Sequence, residues 1–394
     1  MKTKKRLIFC LCVILLCGLT LVLSSCDMYA TLLSTSFKTK SVEGGVAIVG
    51  LNDDAKVKES LNLEIPSIIN GNPVVEILDF AFFGCDNILS VTIADSVKKI
   101  GDYAFSDCTR LTKISVGKGV NSVGSEAFYN CPIVEAKIPS CLASRISKDK
   151  LESVTVFGKS LEDWAFAHCQ SLKSVTVGDG VTSIGSKAFY SCTRLNKIEL
   201  SPDVEFIDYD AFNSCPIEHA TLPIDTLVHI DKKWLKTVTV NGGEEIYAGA
   251  FSDCKHLVSV NIKASITSIG NNAFNSCVEL KDIKLPDSLL KIGDKSFKNC
   301  TVLEEIELPA NLKSIGASAF EYCTELKEIY IPLSVESIGY YSFFNCPSLT
   351  IYCEAAELPD KWSNEWNSDN LPVVWDCLNQ NNENTEASSK LQKQ

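Results

Sequence analysis

One short motif recurs along the whole chain and limits what it can fold into. Phenylalanine, two variable residues and cysteine occur together eleven times in 394 residues, ending at Cys85, Cys108, Cys131, Cys169, Cys192, Cys215, Cys254, Cys277, Cys300, Cys323 and Cys346. Within three runs the cysteines are 23 residues apart, and between runs the intervals are 38 and 39 residues. A unit this small cannot bury its own apolar face, so it must stack on its neighbours. The sequence therefore predicts a solenoid.

Each unit has the pattern of one short strand followed by one tight turn. In the clearest copy, residues 306–308 alternate with period two, which indicates a strand with two inward side chains and one outward side chain. Pro309 ends this strand, because proline cannot donate to a strand ladder. Gly316 follows an isoleucine, as glycine does in seven copies, and we expect a positive φ angle there. Phe320 and Cys323 share one face of a single helical turn and should point inward.

Two intervals lack the phenylalanine–cysteine turn. In the first, a strand pattern at residues 136–139 is followed by another at residues 154–156. In the second, residues 220–223 are followed by residues 238–240. These intervals predict two shortened coils, and we expect each to bend the solenoid locally.

The N-terminus carries a targeting segment that does not belong to the fold. Residues 1–6 are basic, residues 7–23 are almost all apolar, and Ser24, Ser25 and Cys26 follow at once. Residues 1–25 resemble a bacterial lipoprotein signal peptide, whose cysteine receives a diacylglyceryl thioether. Cys26 would then anchor the exported chain to the membrane, with residues 26–43 as a spacer. A plain transmembrane anchor or an ordinary secretory signal remain alternatives, since the apolar stretch is at the lower limit of spanning length.

The repeat unit resembles the BspA-type leucine-rich repeat family of bacterial surface proteins, a class with 23 residues per repeat. The resemblance rests on Leu-x-x-Ile-x-Ile-Pro followed by Ile-Gly-x-x-Ala-Phe-x-x-Cys and extends over about residues 61–377. It implies a right-handed leucine-rich repeat solenoid with a short parallel strand in each coil. It also implies display at the cell surface and adhesin-like binding of host matrix proteins. The chain departs from the pattern at four non-glycine turn positions: Asp79, Glu162, Asp208 and Tyr247.

Both ends of a solenoid need a cap over the last open coil. We expect the solenoid to occupy residues 44–377, beginning with a hairpin at residues 44–61. Trp362, Trp366 and Trp375 lie after the last repeat. Their position favours a cap, although clustered tryptophans also stack on carbohydrate. Residues 378–394 are polar and without aromatic residues, so we expect this tail to be disordered.

The cysteines have a simple interpretation as core residues. Cysteine packs as a small, buried apolar side chain, so we expect the eleven cysteines of the motif to be free and buried. Disulfides are permitted in an exported protein, and a bridge between Cys353 and Cys377 remains open. No Cys-x-x-Cys pair or histidine cluster has the spacing of metal ligands, so we expect no metal.

Charge and motif content argue against several functions. The net charge is −12, and a chain from Cys26 onward has 33 basic and 49 acidic residues, or −16. This acidity argues against nucleic acid as a partner. There are four histidines and no phosphate-binding loop, zinc-protease motif or serine elbow. We therefore expect no enzymatic activity and no cofactor.

The outward positions of the predicted strands form the candidate binding face. Early coils present mainly serine and threonine there, whereas later coils concentrate charges and a tyrosine. We expect a protein or glycan ligand at this later region, bound to a monomer, and the candidate residues are Lys284, Glu305, Glu307, Glu328 and Tyr330. The alternative is a scaffold of the cell envelope with no ligand of its own.

Overall fold

The computed structural model describes residues 36–56 and 59–378. The chain divides into two compact units, the first ending at Gly158 and the second beginning at Lys159. The division follows the first shortened coil. Each unit is a solenoid whose strands pair in parallel, so the predicted fold class is confirmed.

Unit 1 begins with an antiparallel hairpin and continues with parallel strands. The face formed by the longer strands has the order β3-β6-β8-β10-β11, and a second sheet has the order β1-β2-β5-β7-β9, with β4 antiparallel to β5. Its elements are β1 (Phe37–Val42), β2 (Gly45–Leu51), helix α1 (Asp53–Lys56), β3 (Leu61–Ile65), β4 (Ile68–Ile69), β5 (Asn72–Ile77), β6 (Ile88–Ile93), β7 (Lys99–Ile100), β8 (Lys113–Val116), β9 (Ser122–Val123), β10 (Glu135–Pro139), a 3-10 helix (Ser140–Leu142) and β11 (Ser153–Phe157).

Unit 2 repeats the same two-sided arrangement. The longer strands form β13-β15-β17-β18-β20-β22 and then β25-β27-β28, and the short strands form β12-β14-β16 and β19-β21-β23-β24-β26. Its elements are β12 (Ser160–Leu161), β13 (Ser174–Val177), β14 (Ser183–Ile184), β15 (Lys197–Leu200), β16 (Phe206–Ile207), β17 (His219–Pro223), 3-10 helices (Ile224–His229 and Lys232–Trp234), β18 (Thr237–Gly242), β19 (Glu245–Ile246), β20 (Ser259–Ile262), β21 (Ser268–Ile269), β22 (Asp282–Lys284), β23 (Lys291–Ile292), β24 (Ser314–Ile315), β25 (Glu328–Ile331), β26 (Ser337–Ile338), β27 (Thr350–Cys353) and β28 (Val373–Val374).

Stacked phenylalanines form the centre of each unit. Phe274 and Phe297 in successive coils have ring centroids 5.2 Å apart and planes 5° apart, and the other phenylalanines within each run stack in the same way. All eleven motif phenylalanines are buried, as predicted. Ten of the eleven motif cysteines are buried as well, and Cys85 in the first coil is half-buried. Offset stacking of aromatic rings adds to the free energy gained from burying them.

The segment expected to form a helical turn is instead a series of tight turns. The N–H groups of Lys295, Phe297 and Asn299 donate to carbonyls of the next coil, at 2.8 Å in each case. Lys295 and Asn299 have positive φ angles of 54° and 61°. Since alternate N–H groups point to the neighbouring coil, they are not available for bonds along a helix. Apart from α1, residues 36–56 and 59–376 contain no α-helix.

The glycine of the Ile-Gly step is required for a different reason from the one predicted. Gly316 does not have a positive φ angle, and neither do its six equivalents in the other copies. A Cβ atom at Gly316 would lie 2.4 Å from the amide nitrogen of Asp294 in the preceding coil. Glycine fits here because the coils approach closely, although Asp208 takes the same position after a complete coil. Tyr247 takes this position directly after the second shortened coil, where the preceding coil has no such turn.

Different structural elements cover the N-terminal end of unit 1 and the C-terminal end of unit 2. In unit 1 the hairpin of β1 and β2 pairs with β5, and Phe37 contacts Phe82 with ring centroids 6.5 Å apart. This hairpin starts at Phe37, inside the predicted spacer 26–43, so the folded part begins earlier than expected. In unit 2 the buried Trp362 and Trp366 lie 5.0 Å apart, and Trp366 packs against Phe343. Buried rings of this kind form a cap, and the half-buried Trp375 packs against both of them.

Candidate functional site

The ladder of the longer strands in unit 2 is interrupted at one place. Strand β22 pairs with β20 of the preceding coil, and β25 pairs with β27 of the following coil. The coil between them, which includes Glu305 and Glu307, forms only an isolated bridge from Glu305 to Glu328. The shorter strands and the turns of the same coils remain paired, as Lys291 with Ser314. The interruption is therefore confined to the outward strand face.

The sequence explains why pairing fails here. Where the longer strands are paired without interruption, as β13 and β15 are, the N–H of Ser201 donates to the carbonyl of Val177 at the end of β13, at 2.8 Å. The residue equivalent to Ser201 is Pro309, which has no N–H to donate to Leu285. Asp282 and Glu305 also occupy equivalent positions in neighbouring coils, and like charges opposite each other weaken strand pairing. Glu305 and Glu328 are a second like-charged pair, and they form only the isolated bridge.

A cavity of about 460 Å³ lies at the interruption. Its walls are Asp282, Ile283, Lys284, Leu285, Glu305, Ile306 and Glu307. Ile283 and Ile306 are buried, whereas Leu285 and Leu308 are half-buried. Their equivalents Val177 and Leu200 are buried in the intact ladder. This gap between β22 and the coil of Glu305 therefore combines an apolar floor with charged rims, as small-ligand sites do.

The structure brings together most of the residues that the sequence singled out. Lys284, Glu305 and Glu307 line the cavity, while Glu328 and Tyr330 lie on β25 in the next coil. All five are exposed, with Tyr330 at 50%. Partial burial of Tyr330, together with the negative charge of Glu328, raises the pKa of its phenol.

Two contributors to this surface were not among the predicted site residues. Asp282 lines the cavity beside Lys284. Tyr352 on β27 stacks on Tyr330, with ring centroids 4.7 Å apart and planes 11° apart. A signal was present in the sequence, because Ile351-Tyr352 repeats Ile329-Tyr330. Tyr352 follows Tyr330 by 22 residues instead of the 23 of the repeat, so it falls in the predicted cap.

The charges around the cavity are not neutralised by neighbours. On the intact ladder, Lys197 forms an ion pair with Glu199 at 2.8 Å. In residues 36–56 and 59–378, no ion pair involves Asp282, Lys284, Glu305 or Glu307. Adjacent to them, the ammonium of Lys327 lowers the pKa of Glu304 by a hydrogen bond. The cavity thus presents three carboxylates and one ammonium that a ligand can engage.

The remaining predicted sites have simpler outcomes. Cys353 and Cys377 are both free thiols, and burial raises the pKa of Cys353 to about 12. The described part of the chain contains no cluster of three or more metal-ligating side chains. Cys26 and the segments 1–25 and 379–394 lie outside the described residues. Among described helices, none has the length and apolar character to span a membrane.

Coils of 23 residues, each with one short parallel strand and a buried phenylalanine–cysteine turn, define a leucine-rich repeat protein. The chain belongs to the BspA type leucine rich repeat family. The family model matches six copies, over residues 61–155, 159–241 and 232–350. The match is to a repeat region, and no catalytic family is indicated. Comparison with curated protein sequences finds no significant match.

Solved structures with similar chains include leucine-rich repeat proteins. One from Bacteroides ovatus is 23% identical, with 86% of this chain and 98% of that chain covered and a TM-score of 0.41. A leucine rich cell surface protein from Faecalibacterium prausnitzii is 23% identical, with 84% and 95% covered and a TM-score of 0.29. The pneumococcal vaccine antigen PcpA is 18% identical, with 86% and 96% covered and a TM-score of 0.26. The family assignment rests on the repeat model, since these TM-scores are too low to add an argument.

Proposed function

We propose that this protein is an exported, lipid-anchored bacterial surface protein that binds a protein or glycan ligand through the strand face of unit 2. The binding surface comprises Lys284, Glu305, Glu307, Glu328 and Tyr330, extended by Asp282 and Tyr352. The observation that carries the proposal is the Tyr330–Tyr352 stack, with Tyr330 exposed, beside a cavity with unpaired charges. Stacked tyrosines supply rigid contact area, and surrounding charges give orientation and association rate.

Export and anchoring are supported by the sequence alone. The basic and apolar segment ending at Ser25 precedes Cys26, as in lipoprotein precursors. A cysteine with two acyl chains provides stable membrane attachment, because each buried methylene contributes about 0.8 kcal/mol.

The experiment is a binding screen followed by a matched pair of variants. Full-length protein in detergent is immobilised and exposed to purified extracellular matrix proteins and to a glycan array. For a retained ligand, Tyr330→Ala combined with Glu307→Lys should weaken binding at least tenfold, about 1.4 kcal/mol. The control combines Thr176→Ala with Glu199→Lys on the intact ladder and should bind normally. Loss in the control with normal binding by the first variant would move the site to β13 and β15, near the start of unit 2. Retention of no ligand would favour the scaffold function.

A further inference from the structure

The two strand edges at the interruption have backbone groups without backbone partners. In the intact ladder, the N–H groups of Asn196 and Lys197 both donate to the carbonyl of Lys173. The equivalent groups at the gap are the N–H groups of Glu304 and Glu305 and the carbonyl of Lys281. In the described chain, no backbone hydrogen bond joins them. These groups are therefore available to a strand from another molecule.

Side chains at the gap match an extended peptide. Such a peptide has side chains pointing alternately to its two faces. One face would meet Leu285 and Leu308, which are half-buried because the gap leaves them uncovered. The other face would meet Asp282, Glu305 and Glu307, whose carboxylates outnumber the single ammonium of Lys284. Charge complementarity therefore favours lysine or arginine on the outer face.

We infer that the gap between β22 and the coil of Glu305 binds an extended basic segment of a partner protein by strand pairing. The inference rests on the proposed function and names its partner class. Backbone hydrogen bonds from the inserted segment supply affinity, and the alternate side chains supply specificity. The segment also separates Asp282 from Glu305 and places a cation between them, which removes the repulsion that disfavours pairing in the free protein.

Three fluorescent hexapeptides test this inference by anisotropy with full-length protein in detergent. The first alternates lysine and valine, the second alternates glutamate and valine, and the third is the lysine peptide with every second amide N-methylated. We expect saturable binding of the first, none of the second, and at least tenfold weaker binding of the third. Equal binding of the first and third peptides would mean charge attraction without strand pairing and would overturn the inference. Failure of the first peptide to bind would overturn it too.

Variants locate the binding of the lysine peptide. Glu305→Lys combined with Glu307→Lys should weaken it at least tenfold, whereas Glu199→Lys on the intact ladder should leave it unchanged. Pro309→Ala restores an N–H opposite the carbonyl of Leu285, so it should raise the melting temperature and weaken peptide binding. Equal loss from Glu199→Lys, or normal peptide binding by a folded Glu305→Lys and Glu307→Lys variant, would contradict the assignment.

Competition separates this inference from the proposed function. If a ligand from the binding screen depends on Tyr330 and is displaced by the lysine peptide, both are supported. If that ligand is bound but the lysine peptide neither binds nor competes, the proposed function stands and strand pairing is wrong. If the peptide binds as expected while no ligand depends on Tyr330, strand pairing stands and the proposed surface is wrong.

Discussion

The thiol of Cys300 donates a hydrogen bond to the main-chain carbonyl of Phe274 in the preceding coil, over 3.2 Å. The same bond, to a phenylalanine carbonyl 26 residues earlier, recurs from Cys108, Cys131, Cys192, Cys215, Cys277, Cys323 and Cys346. A thiol is small and weakly donating, so it can fill a buried site and still bond the carbonyl there. This dual fit explains why the motif ends in cysteine.

Phe297→Ala should lower the free energy of unfolding by about 3–5 kcal/mol, because it leaves a cavity between two stacked rings. Urea denaturation would measure the change. Tyr340→Ala is the control, since Tyr340 is exposed and its removal should cost within about 0.5 kcal/mol. A loss below about 1 kcal/mol for Phe297→Ala would contradict a continuous phenylalanine stack.

Thiol labelling should distinguish buried from exposed cysteines in one molecule. Cys300 is buried and Cys141 is exposed. Burial raises the pKa of Cys300 well above its ordinary value, so its reactive thiolate is scarce in the folded state. Mass spectrometry after brief alkylation should find Cys141 modified and Cys300 intact until denaturant is added. Equal labelling rates in the native protein would argue against burial of the motif.

Stability should fall at alkaline pH. Burial raises the pKa of Cys254 to about 11 and that of Cys346 to about 12, from an ordinary value of 9.0. Above pH 9 the unfolded chain loses these protons while the folded chain keeps them, so rising pH favours unfolding. Each thiol then removes about 1.4 kcal/mol per pH unit up to its folded pKa.

A variant isolates this effect from other titrating groups. Cys254→Ala combined with Cys346→Ala should reduce the loss of unfolding free energy between pH 8 and pH 10 by about 2–3 kcal/mol relative to the unchanged protein. Urea titrations at the two pH values give both losses. Identical losses for the two proteins would show that these thiols do not titrate differently on folding.

Gly316→Ala should be destabilising by about 1–3 kcal/mol, because its Cβ atom would overlap the backbone of the preceding coil. Alanine usually stabilises a site that accepts it, by about 0.4–1 kcal/mol. Gly242→Ala is the matched control, since its Cβ would lie 3.2 Å from the Cβ of Pro223, a tight contact without backbone overlap, and we expect a smaller loss there. Thermal melting of both variants would measure the difference. A melting temperature for Gly316→Ala above that of the unchanged protein would exclude the close approach.

Cys26→Ala tests the anchor. Lipid attachment needs this thiol, so the variant should appear in the soluble or unprocessed fraction after cell fractionation. The mass of the mature chain, measured in parallel, should lose the acyl groups. Unchanged membrane retention with a normal mature mass would contradict lipid attachment at this cysteine.

Local periodicity made the solenoid predictable. Eleven copies with constant spacing inside each run fix which phenylalanines stack and which side of residues 306–308 faces inward, because each coil must meet its neighbour in the same register. The prediction of a positive φ angle at Gly316 was wrong because it considered the pattern of one coil alone. The constraint comes from the preceding coil, and single-coil patterns do not contain it.

The candidate site was only partly predictable. The outward positions of Lys284, Glu305 and Glu307 follow from strand alternation. The missing pairing does not, because Pro223 and Pro286 stand at the same position as Pro309, yet their strands β17 and β22 still pair with the preceding β15 and β20. Only the combination of Pro309 with the like charges of Asp282 and Glu305 accompanies the interruption.

Hydrogen bonds that link each coil to the next at a constant offset make the array modular. Asn271 accepts from the amide of Asp294, and Asp294 accepts from the amide of Ala317, each 23 residues further on. Excision of residues 294–316 would therefore bring Asn271 opposite Ala317 with the same bond available. Genetic recombination between copies can lengthen or shorten such a protein by whole coils, without a compensating mutation at the new junction.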